Sequence, residues 1–350
     1  MGSKMDALMG EVCKTYKEPL ITRGLADYSD IERIPNTSPR MNYCTHGGLP
    51  EGKLVEYYGE EHGGKTTTAL DNLAKFQAKE KRKSENNPNY VDRTAMYCDV
   101  ENRLDITWAA KLGVDLDSMY LFQPKGQSAE EIFRIVLDAI ATGEVGLIVI
   151  DSLGIMLSKQ AWEKTVEDKT YGGIAMALTN FVDRAVGLCS KHRCTIIGIN
   201  QLREDMNSMW GGYKTPGGKA WKHACSVRIQ FTRGKFFDNN GKELPSTAEN
   251  PYGNFVKFSI TKLLYAAPDR RTGFYTLRYD IGIDYLADLI EVCKKYGIVE
   301  QSGAWFQIFD TQNGEYLSEK IQGQNNVYKV LQDTPELLAR VDELVNEEIA

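Results

Sequence analysis

The sequence predicts an α/β protein built on a mixed, largely parallel sheet, and three observations carry that expectation. Apolar runs such as Leu147-Ile-Val-Ile150 and Cys194-Thr-Ile-Ile-Gly-Ile199 alternate with helical segments from Lys53 to about Tyr279, and runs of that kind are strands buried on both faces. A glycine-rich loop, Gly59–Thr66, stands between a strand and a helix. After Gly212 the texture changes to alternating β segments joined by turn-rich loops, which points to antiparallel strands extending the sheet.

Asp6 to Tyr16 places apolar residues near helical spacing, and Glu18-Pro19 stops the pattern. Residues 1–38 are therefore expected to form an N-terminal arm with a docking helix. A core over 39–281 follows. Its expected strands are Leu54–Tyr58, Thr94–Cys98, Leu147–Ile150 and Cys194–Ile199. Its expected helices run from Thr66 to about Lys83 and over Ile106–Leu112, Glu130–Ala141 and Ile174–Lys191. Ser226–Gly234, Asn254–Leu264 and Gly273–Tyr279 are the antiparallel strands. Residues 282–350 make a small α+β C-terminal domain, with a helix over Ile283–Tyr296, a strand over Ala304–Phe309 and helical character from Asn325 to Ala350.

Composition narrows the class. The chain has 350 residues, 42% of them hydrophobic and 26% charged, as in ordinary soluble globular proteins. No apolar stretch approaches the roughly 20 residues of a membrane helix, so no membrane partner is expected. Residues Met1–Leu20 lack the apolar run of a secretory signal. The seven cysteines include no C-x-x-C pair, which favours reduced thiols in a cytoplasm over a zinc site or disulfide framework. The net charge of −6 argues mildly against a nucleic-acid partner, although local surfaces decide such binding.

The chemistry begins at Gly59-Glu60-Glu61-His62-Gly63-Gly64-Lys65-Thr66, which fits G-x-x-x-x-G-K-[ST] in the required strand–loop–helix context. Glycines let consecutive N–H groups turn inward around phosphates, and the helix N-terminus adds positive potential. Lys65 would bridge the β- and γ-phosphates of ATP, and the Thr66 hydroxyl would ligand Mg²⁺. Asp151 ends the apolar strand Leu147–Ile150 and is a second candidate Mg²⁺ ligand; a plain helix cap is the alternative. Asp99 and Glu101 end the preceding strand. From the residues alone, a solvated acidic turn fits them as well as a pair of water-orienting carboxylates.

At this point the residues resemble the RecA family. Gly48-Leu-Pro-Glu-Gly-Lys-Leu-Val-Glu-Tyr-Tyr-Gly59 leads into the phosphate loop and Thr67 as in that family. Asp99-Val-Glu-Asn-Arg-Leu-Asp105, Lys111-Leu-Gly-Val-Asp115, Val149-Ile-Asp-Ser152, Ile199-Asn-Gln-Leu-Arg203, Pro216-Gly-Gly-Lys-Ala220 and Gly303-Ala-Trp305 follow in the same order. The resemblance runs from about Ile31 to the C-terminus and implies a RecA-like P-loop ATPase core. It implies that Glu101 is the general base, that Gln201 senses the γ-phosphate, and that Asp105 and Trp108 contact the adenine.

Two DNA-binding loops are expected. The first covers about Leu157–Gly173, with Lys159, Trp162, Lys164, Lys169, Tyr171, Gly172 and Gly173. The second covers about Leu202–Lys222, with Arg203, Trp210, Gly211, Gly212, Lys214, Gly217, Gly218 and Lys222. Each follows an apolar strand and mixes cations, glycines and aromatics, a combination suited to stacking bases without regard to sequence. The family completes its ATP site from the neighbouring subunit with two lysines. Here Lys262 fills one position and Ile260 stands at the other, with Arg270 and Arg271 nearby as substitutes. These departures resemble a trimmed, bacteriophage-type member.

The expected function is ATP-dependent pairing and strand exchange by filaments on single-stranded DNA, with double-stranded DNA, further copies of the chain, and single-strand-binding and loading proteins as partners. A RecA-core ring ATPase or helicase, and a mediator regulating another recombinase, are the alternatives.

Overall fold

The structure, a computed structural model, describes residues 4–17, 20–21, 31–163, 173–204, 213–267 and 269–349. The chain divides into two compact units, Met1–Arg33 and Ile34–Ala350. In the first, helix α1 spans Lys4–Tyr16 and has no buried residue.

The second unit opens on a helix the sequence reading passed over, α2 (Pro39–Thr45). Its signal was present in Ser38-Pro39: the Ser38 hydroxyl accepts from the Met41 amide at 3.2 Å, and proline occupies the first turn. The core elements then follow in chain order as β1 (Leu54–Gly59), α3 (Lys65–Asn86), β2 (Thr94–Asp99), α4 (Ile106–Lys111), β3 (Met119–Phe122), α5 (Ala129–Ala141), β4 (Val145–Asp151), α6 (Lys159–Trp162), α7 (Gly173–His192), β5 (Thr195–Gln201) and α8 (Gly218–Ala224). Next come β6 (Val227–Phe237), β7 (Glu243–Leu244), β8 (Gly253–Leu263), β9 (Thr272–Arg278) and β10 (Gly282–Ile283).

These strands form one ten-stranded sheet in the order β10-β9-β8-β6-β1-β5-β4-β2-β3, with β7 paired to β6. The strands from β3 to β6 along that order pair in parallel, and β6, β8, β9 and β10 continue antiparallel. Side chains alternate between two cores, as the two-residue strand period requires. Val55, Tyr57, Leu147, Val149, Ile197 and Ile199 meet α3 residues Leu70, Leu73 and Phe76 on one face. Leu54, Ile148, Ile150 and Ile196 meet Phe133 of α5, Phe181 of α7 and Trp221 of α8 on the other. A capping box starts α5, with Ser128 and Glu131 each bonded to the other's backbone amide.

The C-terminal module has a third core around Ile290, Ile308, Val327 and Leu344. It comprises α9 (Tyr285–Tyr296), β11 (Val299–Ser302), β12 (Trp305–Asp310), β13 (Glu315–Tyr316), β14 (Ile321–Gln322), α10 (Gln324–Asp333) and α11 (Pro335–Ile349). The helical stretch read from Asn325 to Ala350 is thus two helices. Thr334-Pro335 separates them, because proline disfavours helical backbone in the residue before it. A cavity of about 1020 Å³ lies here between Trp305 and Tyr316, away from the phosphate loop.

Packing at two glycines sets the sign of an added methyl. A Cβ on Gly198 of β5 would stand 2.4 Å from Trp221 Cζ2 and 2.7 Å from Leu153 Cδ1. Gly198→Ala should therefore cost about 1–3 kcal/mol in urea unfolding. Gly187 in α7 faces open space, so Gly187→Ala should stabilise by about 0.5–1 kcal/mol.

Asp288 of α9 is fully buried, and burial pushes its carboxyl up to about 7 against the opposing pull of Ser38, Arg40 and the Thr276 amide. Above that pH the folded protein must hold a buried carboxylate. Below it, the folded state keeps a proton that the unfolded chain releases. Stability from this group therefore falls as pH rises through about 7, and Asp288→Asn should gain on the wild type between about pH 5.5 and pH 8 in denaturant titrations.

Candidate active site and nucleic-acid interface

Register brings the site together. Gly59 pairs with Gln201, and Asp99 pairs with Asp151, so β1, β5, β4 and β2 end at one edge of the sheet. The phosphate loop turns there. Gly64 caps α3 with φ 97°, a left-handed conformation that favours glycine, and a Cβ on it would meet Val256 Cγ1 at 2.8 Å. Lys65 is buried; its ammonium donates to Gly59 O at 3.0 Å and to the Glu60 carbonyl. Burial lowers its pKa, while Asp151, Glu61 and Glu101 pull the other way.

The Asp151 carboxylate accepts from Thr66 Oγ1 at 2.7 Å and from the Tyr97 hydroxyl at 2.8 Å. Burial raises its pKa, and those two hydrogen bonds oppose the rise. Oxygen donors 2.7 Å apart on Thr66 and Asp151 suit Mg²⁺, a hard cation that takes oxygen ligands. Glu101 is held from two sides: its Oε1 accepts from Ser152 Oγ at 2.6 Å and from Gln201 Nε2 at 3.3 Å. Its Oε2 faces Arg103 at 3.5 Å.

A cavity of about 360 Å³ joins these groups and is lined by Glu61, His62, Lys65, Thr66, Glu101, Asp151 and Gln201 among others. A second, of about 590 Å³, shares His62, Lys65 and Thr66 and extends past Gly63, Gly64 and Thr67 to Trp108, Phe236 and Tyr279. Trp108 Nε1–H donates to Thr67 Oγ1 at 3.2 Å, which fixes the ring beside the loop. Asp105 is the N-cap of α4 and accepts from the Trp108 amide at 2.9 Å, so it orients the helix that carries the indole.

Other expected residues are placed as follows. Lys262 lines neither cavity; its ammonium donates to the Lys222 carbonyl at 3.3 Å and the His223 carbonyl at 2.6 Å of its own chain. Ile260 is buried in the core. Arg270 lies over the Tyr43 ring at 4.4 Å. Lys159 opens α6 and Trp162 is half exposed. Arg203 donates to Gly154 O at 2.8 Å, which ties the bases of the two loops together. Arg203 and Lys214 face each other in a two-residue ladder, and Gly217 and Gly218 enter α8 at φ 96° and 74°. Lys222 lies near the end of α8, and Gly173 begins α7. Lys164, Lys169, Tyr171, Gly172, Trp210, Gly211 and Gly212 lie outside the described residues.

Tyr97 and Ser152 were missed as site residues. Tyr97 sits two positions before Asp99, on the same strand face, and Ser152 directly follows Asp151; both signals were in the sequence.

A glycine-rich phosphate cradle, a buried lysine and an acidic strand end at one sheet edge define a P-loop nucleotide-binding protein. Comparison with known families is specific: the RecA N-terminal domain matches residues 3–284 and the RecA C-terminal domain matches residues 287–350. Among curated proteins, Protein RecA of Ruminococcus albus is 32% identical over 93% of this chain and 75% of its own length. That of Mesoplasma florum is 32% identical over 94% and 91%, and that of Aquifex aeolicus 32% over 91% and 84%. The chain belongs to the RecA family.

If Trp108 stacks on the nucleotide base, Trp108→Ala should raise the KM for ATP about tenfold with little change in kcat, since such a stack is worth about 1–3 kcal/mol. Steady-state ATP titrations check this, and Trp108→Tyr should recover most of the loss.

Proposed function

We propose that this chain is an ATP-dependent recombinase whose protomers polymerise on single-stranded DNA and pair it with a homologous duplex. The observation that carries the proposal is one sheet edge holding Lys65, Thr66, Asp151, Glu101 and Gln201, from which both expected DNA loops depart. The Lys65 ammonium binds the β- and γ-phosphates, exchanging the carbonyls of Gly59 and Glu60 for phosphate oxygens. Thr66 and Asp151 hold Mg²⁺, which when bound supplies charge neutralisation at the phosphates. Glu101, oriented through Oε1 by Ser152 and Gln201, takes the proton from the attacking water on Oε2. Lys262 acts on the neighbouring protomer's ATP as the trans-acting cation.

Residues 1–38 serve as the docking arm, 39–281 as the ATPase core and 282–350 as the accessory module. The protein works in the cytoplasm alongside single-strand-binding and loading proteins. Among the described residues no helix is long and apolar enough to cross a membrane.

ATP turnover measured with and without single-stranded DNA, beside negative-stain micrographs, tests the proposal. DNA-stimulated hydrolysis with filaments supports it. Closed rings would assign a ring ATPase or helicase, and DNA binding without turnover a mediator. Glu101→Gln should keep ATP and DNA binding while turnover falls about 10²–10⁴-fold, the usual contribution of a general base. Lys65→Ala should lose nucleotide binding.

A further inference from the structure

Asn200 has no part in the chemistry above, yet it occupies the junction of the whole edge. It is fully buried on β5, one residue before Gln201. Its Nδ2 donates to Glu56 Oε1 on β1 at 3.0 Å and to the Pro216 carbonyl at 3.0 Å, on the returning arm of the second loop. Its Oδ1 accepts from the Gln201 amide at 3.1 Å. Gly154, three residues before the first loop, packs against the same oxygen, which a Cβ there would approach to 3.1 Å. Glu56 is itself fully buried and ion-paired with Arg228 on β6.

A short side chain that supplies two N–H donors and one acceptor must be an amide, and Asn200 uses all three functions. A buried polar group stabilises less than an apolar one unless every partner is in place. The segment it holds is not fully satisfied in this arrangement: Thr215 Oγ1 and Trp221 Nε1 are buried without a hydrogen-bond partner among the described residues.

We infer that Asn200 is a positioning residue that links the strand of the phosphate loop, and the backbone of Gln201, to the return stem of the second DNA loop. The inference rests on the recombinase reading. When nucleotide draws Gln201 toward the phosphates, the amide of Asn200 moves the Pro216 carbonyl with it. By linkage, DNA held on that stem tightens ATP by the same factor.

The paired exchange Asn200→Asp with Glu56→Gln tests this. It conserves buried charge, keeps the donor–acceptor contact between β1 and β5 and keeps the acceptor for the Gln201 amide. It sets a carboxylate against the Pro216 carbonyl, which breaks the link to the loop stem. The Arg228 guanidinium keeps an amide oxygen in place of the Glu56 carboxylate, and the single exchange Glu56→Gln, measured alongside, separates the effect of that lost ion pair. Binding of a fluorescent oligonucleotide is measured with and without a non-hydrolysable ATP analogue, beside the thermal unfolding midpoint. We expect unchanged nucleotide-free DNA affinity, a DNA-free KM for ATP within about twofold of wild type, and at least a tenfold loss of the ATP-dependent tightening, as loss of a buried hydrogen bond predicts. If the paired exchange does not fold, Asn200→Ser alone, which cannot bridge both partners, carries the same expectation. Wild-type tightening in the folded variant overturns the inference. Absence of tightening in the wild-type protein overturns the recombinase reading, and the inference with it.

Discussion

The site depends on one constraint: parallel strands ending in register. Gly59 stands opposite Gln201, Tyr58 opposite Asn200 and Asp99 opposite Asp151 in ladders of backbone hydrogen bonds. A strand advances about 3.3 Å per residue and alternates faces, so a one-residue slip would turn Asp151 away from Thr66 and bury the wrong side chains. The apolar faces lock the register, because Ile148 and Ile150 belong to one core and Leu147 and Val149 to the other. Packing and chemistry are thus specified by the same ladder.

The edge also concentrates opposed charges where water is scarce. Lys65 and Asp151 are each pushed by burial toward their neutral forms, and each is partly held charged by the other and by hydrogen bonds. Such a site is held ready for a phosphate group: the anion would satisfy the lysine better than backbone carbonyls do, and the helix N-terminus adds to the attraction. Ser152 and Gln201 hold Glu101 through Oε1 and Arg103 approaches Oε2 at 3.5 Å, so the carboxylate is oriented at both oxygens.

Much of this was legible in the sequence because it rests on short-range patterns. The phosphate loop reads from spacing, and Leu147–Ile150 reads as a doubly buried strand from composition. The family resemblance then supplied Glu101 and Gln201. Elements without such a pattern were lost. Met119–Phe122 is a four-residue edge strand whose middle residues, Tyr120 and Leu121, are exposed, so neither alternation nor a buried run marks it. The partners of Asn200 come from β1 and from the far side of the second loop, 144 and 16 residues away, and only the folded sheet reveals them. Lys262 illustrates the same limit: sequence assigns it a role toward a neighbour, while its contacts with the end of α8 are a matter of three dimensions.

The central claim is that this sheet edge binds ATP and completes its site from the adjoining protomer of a filament on DNA. Electron cryo-microscopy of the chain with single-stranded DNA and a non-hydrolysable ATP analogue addresses it most directly. The account predicts a helical filament with nucleotide between protomers, the γ-phosphate contacted by Lys65 and Gln201 of one and by Lys262 of the next. A closed ring, or a nucleotide contacted by one protomer alone, would contradict it.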